Sequence, residues 1–435
     1  DLLRAYARDL ASVSETEDEQ QEALTRLFDH YLHTAATAMD TLFPGERRRR
    51  PRIPRPATPA PPVSDSAAAL AWLGTERATL VAVAVHTASH GWAGHATRLA
   101  GTLFRYLESG GHYPEATTIH NQARLAARHT GDRTAEAEAL ISLGVLDVAR
   151  GRQPQATAQL EQGLALFREA GDRPGEVRAL GNVGILSFQL GHYEQATSHL
   201  QQALALCGEI GDRPSEARVL VGLSMIDFWQ GRYEQANRRL HRSLALFREA
   251  ADQTGEAHAL CSLGEVVLRQ GNLESAVDLV QQALAMFREC GSRSGEAKAL
   301  IALGDADLRL GRPEEAAEYQ RQALAVCREI GYQSGEVTAL NALGDVFLST
   351  GQFADARAHF AAALSGAALN GEKHEQACAH NGLARACHAA GDLGQARHHW
   401  NKALALFITL GTPEADQVRA RLADIGEHGR ELAGT

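Results

Sequence analysis

The sequence predicts an all-α chain: a right-handed α-solenoid of eight 40-residue helix-turn-helix units, with a helical segment before them and a capping helix after. Three columns of residues carry this expectation. Glycine recurs at Gly111, Gly151, Gly191, Gly231, Gly271, Gly311, Gly351 and Gly391, always 40 apart. Alanine does the same at Ala116, Ala156, Ala196, Ala236, Ala276, Ala316, Ala356 and Ala396. Leucine holds Leu164, Leu204, Leu244, Leu284, Leu324, Leu364 and Leu404, and Arg124 alone breaks that column. A second glycine column runs from Gly91 to Gly411, with Ala251 as its exception. From 91 to 410 the period holds without an insertion, and a fixed period of this length marks a stacked array.

Each unit reads as two helices. In the unit opening at Gly171, Asp172 is placed to cap the first helix and Pro174 sits in the first turn, where its missing N–H costs nothing. Leu180, Val183 and Leu186 then recur at helical spacing. Gly191 ends that helix, at a position that favours a left-handed backbone. In the second helix Ala196 lets two backbones approach, and Leu200 and Leu204 fill the seam. Burying one such leucine is worth about 1.5–3 kcal/mol. A single hairpin cannot cover both of its apolar faces, so the units must stack. Cys207 and Cys327 stand in the column otherwise held by Phe167, Phe247, Phe287 and Phe407 and are expected in the core.

The flanks divide differently. Residues 1–43 are expected as a helical segment, with one apolar stripe at Leu2, Leu3, Tyr6, Ala7 and Leu10 and another at Leu24, Leu27, Phe28, Tyr31 and Leu32. Residues 44–63 hold seven of the thirteen prolines and six arginines and read as an extended, solvated linker. Residues 64–90 resume as helix and are expected to dock on the first repeat. Residues 411–435 form a final solvating helix and tail.

Composition excludes several function classes. The formal charge is −10, which disfavours a nucleic-acid-binding body. Six cysteines without a CxxC pair make neither a disulfide framework nor a zinc finger, so a reducing, cytoplasmic setting is expected. The longest apolar run, Leu80–Val85, is far short of the roughly 20 residues of a membrane span.

The pattern Ala-Leu-x-x-Leu-Gly (Ala259–Gly264, Ala299–Gly304, Ala339–Gly344), followed by Gly-x-Tyr-Glu-Gln-Ala (Gly191–Ala196, Gly231–Ala236), resembles the tetratricopeptide repeat in its long, 40-residue form. Ser224 and Ala384 replace the helix-packing glycine, and Phe104 and Arg124 make the first unit irregular. The opening is more specific. Asp1–Arg8, His30–Ala35, Ala71-Trp72-Leu73-x-x-Glu76-Arg77-x-x-Leu80-Val81 and the closing Gly411–Asp416 resemble the carboxy-terminal region of STAND-class, antibiotic-regulatory-protein-type actinobacterial transcriptional regulators. That resemblance implies a DNA-binding domain and an NTPase upstream. The chain starts inside a helical pattern without Met, so a carboxy-terminal fragment is expected.

Catalytic signatures are missing from the sequence. The three lysines, Lys298, Lys373 and Lys402, follow Ala, Glu and Asn, so no phosphate-binding loop exists, and GxSxG and GxGxxG are absent as well. His374-Glu375-Gln376-Ala377-Cys378 is the nearest thing to a metal motif, with Cys387, His388, His398 and His399 in the same unit, yet these residues fall on different helix faces. No enzyme activity, cofactor or metal is expected of this chain.

Binding is the expected use, and the resemblance to tetratricopeptide arrays places the first helix of each unit on the concave face. The groove columns then offer Ile141, Val145, Ile185, Phe188, Met225, Phe228 and Trp229 as an apolar and aromatic surface, followed by Glu265, Arg269, Asp305, Arg309, Asn341 and Asp345 as a polar one. An aromatic patch rimmed by charge suits a protein or peptide segment. Phe188 and Phe228 also suit packing between neighbouring repeats. Glu265/Arg269 and Asp305/Arg309, four residues apart, are expected as intrahelical ion pairs worth about 0.3–0.5 kcal/mol each. The expected partner is a protein or peptide segment, an intramolecular NTPase domain or a small effector, with no direct contact to nucleic acid or membrane. The expected role is the sensor domain of such a regulator, or a stand-alone scaffold.

Overall fold

The computed structural model describes residues 16–433 apart from 57, 60 and 62, so the stripe Leu2–Leu10 lies outside the described residues. Two helices come first, α1 (Glu17–Leu42) and α2 (Ser66–Ser89), joined by a 3-10 turn at Pro44–Arg49 and an extended stretch. Eight hairpins follow: α3 (Ala93–Ser109) with α4 (Tyr113–Thr130), α5 (Arg133–Ala149) with α6 (Gln153–Ala170), α7 (Arg173–Gln189) with α8 (Tyr193–Ile210), and α9 (Arg213–Trp229) with α10 (Tyr233–Glu249). The second four are α11 (Gln253–Arg269) with α12 (Leu273–Glu289), α13 (Arg293–Arg309) with α14 (Pro313–Ile330), α15 (Gln333–Ser349) with α16 (Phe353–Asn370), and α17 (Lys373–Ala389) with α18 (Leu393–Leu410). The last helix is α19 (Glu414–Ala433), and there is no strand among the described residues.

The glycine columns sit at the turns. All sixteen have positive φ, between +66° and +97°, and Ala251 is forced into the same region at +52°. The caps repeat too. The side chains of Asp132, Asp172, Asp212, Asp252 and Ser292 each accept from the N–H three residues on, at the start of α5, α7, α9, α11 and α13. Tyr332 and Glu372 break that series and make no such bond. One repeated feature escapes a reading of single helices. Arg128–Glu136, Arg168–Glu176, Arg248–Glu256, Arg288–Glu296 and Arg328–Glu336 form ion pairs of 2.6–3.2 Å across the turn between units.

The core follows the columns with one change. The alanine column is at most 1% exposed, as are Phe167, Phe247, Phe287, Phe407, Cys207 and Cys327. The expected leucine seam is shallower, with Leu204, Leu364 and Leu404 only half-buried. The deeper seam runs through Leu160, Leu200, Leu240, Val280, Phe360 and Trp400, each 2% exposed or less. Gln320 interrupts it, fully buried, with Nε2 donating to the Ile301 carbonyl at 2.9 Å and Oε1 without a partner.

The N-terminal helices extend the array. Phe28, Leu32 and Leu42 of α1 share a core with Leu73 and Leu80 of α2 and with Leu99 and Leu103 of the first hairpin. Helix α2 is long and apolar enough to cross a membrane, but Ala69, Leu73, Leu80 and Ala84 are taken up by this core.

The superhelix is wound so tightly that successive turns touch. Gly111 lies against Ile330, Gly151 against Asn370 and Gln333, and Gly191 against Leu410 and Lys373, separations of about four and a half to five and a half repeats. These contacts narrow the concave groove into a partly open lumen on the side of α3, α5, α7, α9, α11, α13, α15 and α17. Glu46, Arg49, Arg50 and Pro51 of the proline- and arginine-rich stretch line that lumen, against the expectation of a solvated linker, whereas Arg47, Arg52, Pro54, Arg55 and Pro59 are exposed as that reading expected. Glu46 lies between Arg218 (2.9 Å) and Arg105 (3.8 Å), Arg49 donates to Ser215 Oγ at 2.8 Å, and Gly45 packs on the Asp252 backbone. The Arg50 side chain is 6% exposed and pairs with Asp40 at 2.7 Å. Composition suggested solvent because Arg and Pro are usually solvated; here Glu46, Arg49 and Arg50 anchor the first part of the segment.

Candidate functional site

Two chambers open inside the lumen. The first, about 400 Å³, lies between α3, α5, α7 and α9 and is capped by the 3-10 turn. Its wall includes Ile141, Val145 and Ile185, three of the expected groove residues, together with Phe104, Val177 and Val219. Its charged groups are paired, although Arg50 Nε and Nη1, Arg105 Nε and Arg218 Nη1 are buried without a hydrogen-bond partner. Arg218 pairs with Glu46 and with Asp252 (2.6 Å), Arg105 with Glu108 (3.1 Å), and Arg178 with Glu138 (2.9 Å). Burial works to raise the Glu46 carboxyl, but the Arg218, Arg105 and Arg50 guanidiniums outweigh it and hold it below the usual range.

The second chamber, about 310 Å³, is walled by α7, α9, α11, α13, α15 and α17. Phe188, Met225, Phe228, Trp229 and Glu265 all line it, as the column reading expected of a common face. The aromatic surface is not an outward patch, however. Phe188 is buried and stacks on Tyr193 (5.3 Å, 17°), Phe228 meets Trp229 edge-on at 5.1 Å, and the Trp229 ring lies 3.7 Å from that of His374. The last contact joins the fourth repeat to the last across the chamber.

The expected ion pairs do not form. Among the described residues neither Glu265 nor Asp305 has a cation within 4 Å. Arg269 instead lies over the Phe228 ring at 5.5 Å, and Arg309 donates to the Leu268 carbonyl at 3.3 Å. Helical spacing brought each pair within reach, but the ring and the carbonyl offer the guanidiniums partners that are already desolvated. Asp305 accepts from Gln320 at 3.2 Å, Asn341 donates to Glu375 at 2.8 Å, and Asp345 pairs with Arg385 of the next unit at 2.7 Å. Arg269, Asp305, Arg309, Asn341 and Asp345 therefore lie beside the second chamber and outside its immediate wall.

The chamber is acidic. Burial and the neighbouring Asp305 push Glu265 up to about 7, and burial and Glu372 do the same to Glu375. Burial and Asp345 push Asp305 up to about 6. Burial with Arg269 drives His374 down to about 3, so it is neutral, and burial with Lys298 lowers His258. Lys298 is the one cation in the wall. Two polar atoms there are buried without a partner, the Tyr193 hydroxyl and Gln189 Oε1.

The column reading missed Tyr193, Tyr332, Glu372 and Glu375 as wall residues. Tyr332 and Glu372 carried a signal, since each breaks the capping column of Asp and Ser. Tyr193 carried none, because it sits in the conventional Gly-x-Tyr turn. No group of three His, Cys, Asp or Glu close enough to hold a metal occurs among the described residues. His374 and Cys378 approach at 3.5 Å, and His380 and His399 at 2.9 Å, without a third ligand.

Sequence models of the tetratricopeptide repeat match residues 137–162, 177–210, 215–289, 297–330 and 335–409, more than half of the chain. The chain is 36% identical over 155 residues to Regulatory protein AfsR of Streptomyces griseus, a match covering 35% of this chain and 16% of that protein. The chain thus spans a small part of that relative. Among solved structures it is similar to a Rap protein complexed with Competence and Sporulation Factor (TM-score 0.52, 15% identity, 81% of this chain and 99% of that one). A STAND protein with a tetratricopeptide repeat sensor from Pyrococcus horikoshii aligns with a TM-score of 0.45, 16% identity, 82% of this chain and 54% of that one. The repeats, their turns and their stacked hairpins make this chain a member of the tetratricopeptide-repeat family.

Proposed function

We propose that this chain is the non-catalytic sensor and interaction domain of a STAND-type transcriptional regulator, taking an effector or partner segment into its lumen and controlling an NTPase and DNA-binding module. The observation that carries this reading is the second chamber, a partly open and partly aromatic space on the inner face of a protein-interaction array. The likeness to a stretch of AfsR supports the regulator. The cytoplasm suits the six free cysteines, five of them buried. The Rap protein, similar over nearly its whole length and solved with Competence and Sporulation Factor, favours a second reading in which the array acts alone as a scaffold.

Photo-crosslinking tests the shared part of both readings. A benzoyl-phenylalanine at Met225, inside, is compared with one at Leu369, which is 82% exposed outside. Partners captured through Met225 support the lumen; capture through Leu369 alone overturns it. The reading frame upstream of the Asp1 codon separates the two readings. In-frame NTPase and DNA-binding modules support the regulator, and a nearby start codon leaves the scaffold.

A further inference from the structure

The second chamber presents acceptors that the protein leaves without donors. Among the described residues Glu265 is exposed to the chamber and makes no hydrogen bond or close ion pair within the protein, while Gln189 Oε1 is buried and bare, and so is the hydroxyl of Tyr193, a residue 5% exposed. Glu372 and Glu375 add two further carboxylates to the wall, against Lys298 alone. Beside these acceptors stand the faces of Phe188, Phe228 and Trp229, and the protein already lays one guanidinium, Arg269, on the Phe228 ring at 5.5 Å. A group that satisfies such a wall must carry several N–H donors, a positive charge and a flat face. A guanidinium has five donors in a planar fork and stacks on aromatic rings; an ammonium has three donors and no flat face.

We propose that the second chamber recognises a guanidinium group, its N–H fork on Glu265 and Gln189 and its plane and apolar stem along Phe228 and Trp229. The proposal rests on the reading of the lumen as the binding surface and adds the chemistry of what enters. A volume of about 310 Å³ holds the head, its stem and part of the chain that bears it. Either an arginine within a peptide or a free guanidino compound supplies that group.

The test is titration calorimetry of the whole chain with a pentapeptide pool that has arginine fixed at its centre. The same pool with citrulline, a neutral isostere, and free agmatine form the other arms. The arginine pool is expected to bind at least tenfold more tightly than the citrulline pool. Glu265→Gln should remove most of that ratio without lowering the melting temperature, and Tyr193→Phe should reduce it a few-fold. Agmatine binding as tightly as the pool assigns the group to a free compound; weaker binding assigns it to a peptide. Equal binding of the two pools, or no binding of any arm to folded protein, overturns the guanidinium assignment. The crosslinking at Met225 is read independently, so loss of this proposal and loss of the lumen reading are distinguishable.

Discussion

The two chambers of one lumen are built from the same repeat yet treat charge in opposite ways. In the first, the guanidiniums of Arg105, Arg178 and Arg218 are met by carboxylates, one of them, Glu46, supplied by the segment that precedes the repeats. In the second, Glu265, Glu372 and Glu375 face a single lysine and two histidines held neutral. The first is capped by the chain's own residues and keeps only donors to spare, on Arg50, Arg105 and Arg218; the second has acceptors to spare. A repeat array therefore fixes where side chains point, while the binding capacity of each stretch depends on what else the chain brings to it.

The contrast presumes that the turns of the superhelix touch, and the largest expected effect tests that. Gly151→Val adds a β-branched side chain at φ +66° against Asn370 and Gln333, whereas Gly231→Val, at φ +75°, meets only Pro413 at an ordinary 3.4 Å. The second should cost about 1–2 kcal/mol from the backbone alone. The first should cost about 1–3 kcal/mol more for overpacking. Equal losses in denaturant melts would mean that the turns do not touch.

Glu46→Ala should make the first chamber resemble the second. It removes the carboxylate shared by Arg105 and Arg218, and a destabilisation of about 2 kcal/mol is expected, softened because both arginines keep a second acid. Trypsin should then cut at Arg47–Arg52 faster than in the wild type. Unchanged cleavage would mean that Glu46 does not hold the segment in place.

A smaller effect comes from the one non-glycine turn. Ala251, at φ +52°, lies between the two halves, and Ala251→Gly should stabilise the chain by about 1 kcal/mol. A lower melting temperature would contradict the strain.

The smallest effect is with pH and acts on the second chamber. Glu265 and Glu375 are raised to about 7, so in the window above their unfolded values the native state binds more protons and stability falls as pH rises. The melting temperature should therefore rise slightly from pH 8 to 6.5, and Glu265→Gln with Glu375→Gln should flatten that slope. Below about 6.5 the carboxylate gain continues towards 4.5 but is opposed, because His120, His374 and His380, lowered to about 3–4, and His258, also lowered, resist protonation that the unfolded chain accepts. A slope that survives both substitutions would place its origin elsewhere.

The sequence made the repeat legible almost to the residue, because each glycine turn and alanine contact obeys a local rule repeated every 40 positions. Ile141, Val145, Ile185, Phe188, Met225, Phe228 and Trp229 were placed on the inner face by the resemblance to tetratricopeptide arrays, read column by column, and they line the two chambers. What spacing could not show was closure. The Trp229–His374 contact and the meeting of Gly151 with Asn370 depend on the pitch accumulated over several units, which no local pattern encodes. Pairing was also hidden. Glu265 and Arg269 have ion-pair spacing, but the Phe228 ring one unit earlier captures the guanidinium, and Glu46 finds its arginines only once the lumen has formed.

The most direct test of the contrast uses the four tryptophans as reporters. In protein labelled with 5-fluorotryptophan, Trp229 lines the second chamber, Trp72 and Trp92 belong to the N-terminal core, and Trp400 to the last hairpin. Adding the arginine-centred peptide pool should move the Trp229 fluorine resonance, identified by its loss in Trp229→Phe, and leave the others in place. A shift at Trp72 or Trp92 with Trp229 unmoved would put the ligand in or near the half that the chain has already filled and contradict the account.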